Sequence, residues 1–195
     1  KTKFKLFKFD RIIGFITLIL ISLYLISILP ISDVDSIAIH QNLPNEIYLN
    51  GLGNLDLEKN LGFTIYSNTQ NLLILSPILS SENFGAQLNI LILIFFCFYK
   101  FEFNRNFILI LLSCPLIIYF ISAQKLQLFF GILYLLIFIT IHEKLIKNKA
   151  GLFVVIFLLF FYSTGNLSYI LFSIPMYFYL FYNYKSYWLN IIFYT

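Results

Sequence analysis

IIGFITLILISLYLISIL, residues 12–29, runs for 18 positions without a charged side chain. At about 1.5 Å rise per residue, a helix of that length covers most of a ~30 Å hydrocarbon core. Pro30 follows and ends the run, since proline has no N–H with which to continue a helical ladder. The segment before it, KTKFKLFKFDR, sets Lys1, Lys3, Lys5, Lys8 and Arg11 against the single acid Asp10, with phenylalanines interleaved. That is the pattern of a basic, aromatic interfacial segment on the cytoplasmic side of a membrane. A basic start and an apolar run also open a secretory signal peptide. This run is longer than a typical h-region, however, and no small-residue cleavage site follows it, so we read a retained helix.

Outward from this run, the composition agrees. The 195 residues are 60% hydrophobic and 20% aromatic, with 11% charged. Soluble domains carry roughly 25% charged residues and about 45–50% apolar ones. The expected fold class is all-α, a polytopic transmembrane helical bundle forming one membrane domain over residues 1–195. Net charge is +4, but the basic residues stand in short clusters between apolar runs. Such clustering points to membrane orientation and lipid partners rather than to nucleic acid. Cys97 and Cys114 lie in apolar runs without metal or redox spacing and read as small buried hydrophobes.

Five further apolar runs follow, at residues 84–99, 107–121 with Pro115 inside, 128–141, 152–162 and 167–182. Six spans put eleven of the thirteen Lys and Arg residues on one side: Lys1, Lys3, Lys5, Lys8, Arg11, Lys100, Arg105, Lys144, Lys147, Lys149 and Lys185. Only Lys59 and Lys125 fall on the other. The positive-inside rule then makes the N-terminus cytoplasmic and the loop at 30–83 extracytoplasmic.

Residues 33–83 form the one long polar interval and hold six of the nine acids: Asp33, Asp35, Glu46, Asp56, Glu58 and Glu82. Carboxylates and irregular backbone are expensive in hydrocarbon, so the interval belongs at the surface or in a cavity. An apolar stripe over 33–49 predicts a helix capped by Ser32 or Asp33. Residues 69–79, interrupted by Pro77, are too short to span and read as a re-entrant or interfacial helix.

Several residues here suit chemistry. Asp33 and Asp35, two apart, do not share a helix face, so they form no coupled dyad. One of them facing a cleft suits a general base toward an acceptor hydroxyl or amine; a helix cap and a solvated carboxylate are the plain alternative. His40 suits a phosphate contact or proton transfer, or equally a surface histidine. Tyr66, Ser67 and Asn68 form a neutral hydrogen-bonding cluster fit for a sugar or a lipid headgroup. Lys125 either snorkels to the interface or holds a phosphate. No Gly-rich phosphate loop, GxSxG, HExxH or zinc spacing is present, and a divalent metal stays open.

DSIAIH at 35–40, LP at 43–44 and YLNG at 48–51 resemble the first extracytoplasmic loop of GT-C-type integral membrane glycosyltransferases. These are the relatives of dolichyl-phosphate-mannose protein mannosyltransferases and bacterial aminoarabinose transferases. YSN at 66–68, PIL at 77–79, CP at 114–115 and SAQKLQ at 122–127 resemble the continuation. The resemblance implies a catalytic carboxylate at Asp35, with Asp33 as second choice. It also implies a polyprenyl-phosphate-linked sugar donor and an inverting transfer at the outer face of a bacterial cytoplasmic membrane. His40 and Lys125 would then meet the donor phosphate, and Tyr66, Ser67 and Asn68 the sugar or acceptor. Ile39 departs from the tyrosine that such loops carry before the histidine. Family members have about a dozen spans, so the chain reads as an N-terminal part whose partners include further C-terminal spans. Two other classes fit the composition: a non-enzymatic subunit of a membrane complex from an AT-rich genome, and a lipid-linked oligosaccharide flippase or polymerase.

Overall fold

The computed structural model describes residues 11–31, 40–51, 68–100 and 105–187. It is all-helical, with no strand among the described residues. The helices are α1 Arg11–Ile28, α2 Asn42–Asn50, α3 Asn68–Leu73, α4 Leu75–Ile78, α5 Phe84–Lys100, α6 Arg105–Leu112, α7 Pro115–Ile121, α8 Gln127–His142, α9 Lys149–Ser163 and α10 Leu167–Asn183.

The parallel pair α5 and α8 forms the centre. α1 and α7 pack on α5, and α9 and α10 pack on α8. Apolar residues surround α8, which is the signature of a helix buried on more than one side. Leu128 and Ile132 join Ile16, Leu20, Ile90, Leu93 and Phe96 in one core. Phe130, Leu133, Ile137 and Ile141 join Leu152, Val155, Leu159 and Leu180 in the other.

Cross-links fix the direction of each helix. Asn83 Nδ2 donates to the carbonyls of Ile28 at 2.8 Å and Leu29 at 3.2 Å, which sets the start of α5 at the end of α1. Thr69 Oγ1 donates to the Gly165 carbonyl, bringing the α9–α10 turn to the same end. At the opposite end the Ile146 N–H donates to Tyr184 Oη at 3.4 Å, and Tyr187 Oη donates to the Lys147 carbonyl at 3.2 Å. The exposed Lys144, Lys147, Lys149 and Lys185 lie at that second end.

The run at 107–121 is not one continuous helix, as the sequence had suggested. It breaks between α6 and α7 at Ser113 and Cys114. Cys114 is extended, with φ −71° and ψ 121°. A residue before proline is driven out of the helical region by the pyrrolidine ring. Pro115 then becomes the first residue of α7, where a missing N–H costs no hydrogen bond.

In the polar interval α2 runs from Asn42, a π-helical pair at His40 and Gln41 leads into it, and Gln41 makes no side-chain cap bond; the expected start at residue 33 lies outside the described residues. The expected caps Ser32 and Asp33 lie outside the described residues. Residues 69–79 form the two short helices α3 and α4, with a turn at Ile74 between them.

Arg11–Ile28 is long and apolar enough to cross a membrane, with mean hydropathy 2.3 and 22% of the helix buried. Phe84–Tyr99, Gln127–His142 and Lys149–Ser163 are shorter apolar helices. The outward faces are apolar as well. Phe15, Leu18 and Leu25 on α1, Phe153, Phe157 and Phe160 on α9, and Leu171 and Phe178 on α10 are all exposed.

Candidate functional site

The buried polar side chains Asn89, Gln124, Lys125 and Ser76 gather at the end of the bundle opposite the lysine-rich loops. Two of them cap each other's helices. A helix leaves its first backbone N–H groups without internal partners. The N-cap residue of α8, Leu126, supplies no side-chain cap. Asn89, two turns into α5, supplies one instead, its Oδ1 accepting from the Phe129 N–H at 2.9 Å. In return Gln124 Oε1 accepts from the Gly85 N–H of α5 at 3.0 Å. Asn89 Nδ2 also donates to the Phe120 carbonyl at 2.8 Å and to the Lys125 carbonyl, so the link between α7 and α8 is held against α5. Gly85 permits this approach, because a Cβ there would stand 2.9 Å from the Gln124 carbonyl oxygen.

Lys125 is 8% exposed. Its ammonium donates to Tyr119 Oη at 2.8 Å and lies 5.3 Å from the centre of the same ring. The side chain is therefore drawn to Tyr119 on α7.

Above this network α2 packs on α3 and α4 through Leu43, Ile47 and Ile74. Between α2 and the 76–82 turn lies a cleft of about 270 Å³. Asn45 of α2 and Gln41 just before it line one side, and Ser76 of α4 with Ser80, Ser81 and Glu82 beyond it line the other. Ser76 joins cleft and network: its Oγ donates to the Ser81 carbonyl and accepts from Gln124 Nε2 at 3.4 Å. Ser80 holds φ 52°, a left-handed conformation uncommon for serine.

Of the residues singled out in the sequence, Lys125 belongs to this end, and His40 is half-buried in the π-helical pair with Gln41 that leads into α2. Asn68 is the first residue of α3. Asp33, Asp35, Tyr66 and Ser67 lie outside the described residues. The sequence reading passed over Asn89, Gln124, Ser76 and Tyr119. An asparagine within an apolar run was the available signal, since polar groups at such positions face a partner. Among the described residues no three His, Cys, Asp or Glu side chains gather into a metal-binding group.

No protein-family model matches the chain, and neither a curated protein nor a solved structure does.

Proposed function

We propose that the chain is a six-span integral membrane protein with its lysine-rich end in the cytoplasm. We further propose that its opposite, polar end transfers a sugar from a polyprenyl-phosphate donor, in the manner of GT-C-type glycosyltransferases. The observation that carries the reading is the contrast between the two ends. Exposed lysines crowd one; a buried ammonium and a polar cleft occupy the other, and exposed aliphatic and aromatic faces lie between. Contiguous exposed apolar surface of this kind suits lipid rather than water.

In the proposed reaction Asp35, which stands in the chain between α1 and α2, takes the proton from the acceptor hydroxyl. The acceptor oxygen forms a bond to the anomeric carbon from the face opposite the leaving group. The anomeric C–O bond breaks, and polyprenyl phosphate departs with the electron pair, its charge met by the Lys125 ammonium. Asp33 is the second choice for the base. A positioned general base contributes about 10²–10⁴-fold in rate. Asp35→Asn should therefore lower turnover by about that factor in a transfer assay with polyprenyl-phosphate sugar, while donor binding stays intact. Full turnover in both Asp35→Asn and Asp33→Asn would remove the carboxylate base, whereas no transfer by the wild-type chain would remove the function and favour a non-enzymatic membrane subunit.

A further inference from the structure

We infer that the cleft between α2 and the 76–82 turn is a binding site for a single uncharged sugar ring, and that it rejects the phosphate-bearing part of a lipid-linked donor. The inference deepens the glycosyl-transfer reading and rests on it for the class of hydroxyl-rich molecule at hand; the chemistry of the walls supplies the rest.

The cleft's volume of about 270 Å³ falls just under the ~300–1,000 Å³ usual for small-molecule sites, enough for one ring and not for a chain of them. Its polar lining consists of the two amides Gln41 and Asn45, three serine hydroxyls and the Glu82 carboxylate. Amides and hydroxyls both donate and accept, which matches the mixed donors and acceptors of a sugar's edge. An ionised carboxylate only accepts, and it takes two adjacent hydroxyls at once. Among the described residues no lysine or arginine lines the cleft, so a phosphate there would meet the Glu82 charge without compensation from them. The nearby cation, Lys125, is drawn instead toward Tyr119 on α7.

The floor is preorganised. Ser76 is fixed between the Ser81 carbonyl and Gln124, and Ser81 Oγ donates to Gln87 Oε1 at 3.3 Å. Groups held in place beforehand lose less entropy when a ligand arrives. Asn45 and Glu82 are exposed at the rim, so they can be changed without disturbing a core.

The test uses the full chain in phosphatidylcholine nanodiscs, titrated with methyl glucoside, methyl galactoside and methyl mannoside under saturation-transfer NMR. At least one should bind saturably. Asn45→Leu and Glu82→Ala should each weaken that binding tenfold or more, with the helical circular dichroism unchanged. The 6-phosphate of the same sugar should fail to compete in the wild type and should compete in Glu82→Gln. Absence of saturable binding by all three glycosides, binding indifferent to both substitutions, or equal competition by the phosphate in the wild type would each overturn the proposal. Binding at the cleft of a wild-type chain that transfers no sugar would leave the site standing and the transfer reading refuted. The converse, transfer that depends on Asp35 without cleft binding, would leave the function and remove the site.

Discussion

Asn89, in the second turn of an apolar helix, accepts a hydrogen bond from the Phe129 N–H at 2.9 Å and so caps the start of α8 from a different helix. The bond joins two parallel helices at the one end where both begin, and it does so with a fully buried side chain. Gln124 returns the cap to Gly85.

Asn89→Leu should destabilise the bundle, because the part-buried Phe129 N–H loses its side-chain acceptor and two carbonyls lose a donor. A stranded buried donor costs about 1–3 kcal/mol by itself. Gln124→Leu should do the same at Gly85. The double variant should cost less than the sum, since both residues hold the same α5–α8 contact. Thermal unfolding in detergent measures all three, and an unchanged midpoint in Asn89→Leu would refute the capping argument.

Two glycines give an opposed pair. Gly85→Ala sets a Cβ 2.9 Å from the Gln124 backbone oxygen, which cannot swing aside as a side chain can, and 3.0 Å from Leu73 Cδ2. Overpacking of this kind costs about 1–3 kcal/mol. Gly131→Ala, in the interior of α8 with nothing within 4 Å of the new Cβ, should cost nothing and gain up to ~1 kcal/mol of helix propensity. Equal midpoints for the two alanine variants would contradict the close approach of α5 to Gln124.

Lys125 and Tyr119 allow the donor-phosphate role to be separated from a packing role. Lys125→Arg keeps a cation and should retain part of the donor affinity, whereas Lys125→Gln should raise donor KM. Tyr119→Phe removes the bond that directs the ammonium and should raise donor KM as well, with the charge still present. Unchanged kinetics in Lys125→Gln would leave Lys125 a structural side chain of the α7–α8 link.

Much of the helical layout was legible in the sequence, because a run of apolar residues long enough to cross the bundle is a local signal. The stretch at 12–29 became α1 at Arg11–Ile28, and that at 167–182 became α10 at Leu167–Asn183. The run around Pro115 misled for a local reason too: proline's constraint on Cys114 outweighs the continuity of the apolar pattern. The site was less legible. Asn89 is visible as a polar residue in an apolar run, but its partner Phe129 is 40 positions away and has no side-chain polarity to betray the bond. The cleft brings Asn45 to Glu82 across a polar interval in which every second residue is a plausible ligand contact. Lys125 was legible as an unusual cation, whereas its burial against Tyr119 depends on how α7 ends.

The transfer reading depends on the orientation of the two ends in a membrane. In a chain with Cys97 and Cys114 replaced by alanine, single cysteines at the exposed positions Asn166 and Ser186 read the two ends directly. A membrane-impermeant maleimide added to intact cells should label Asn166→Cys, and should label Ser186→Cys only after permeabilisation. Labelling of Ser186→Cys in intact cells with Asn166→Cys protected would invert the topology and put the polar site in the cytoplasm. Equal labelling of both in intact cells would contradict the membrane-spanning bundle itself.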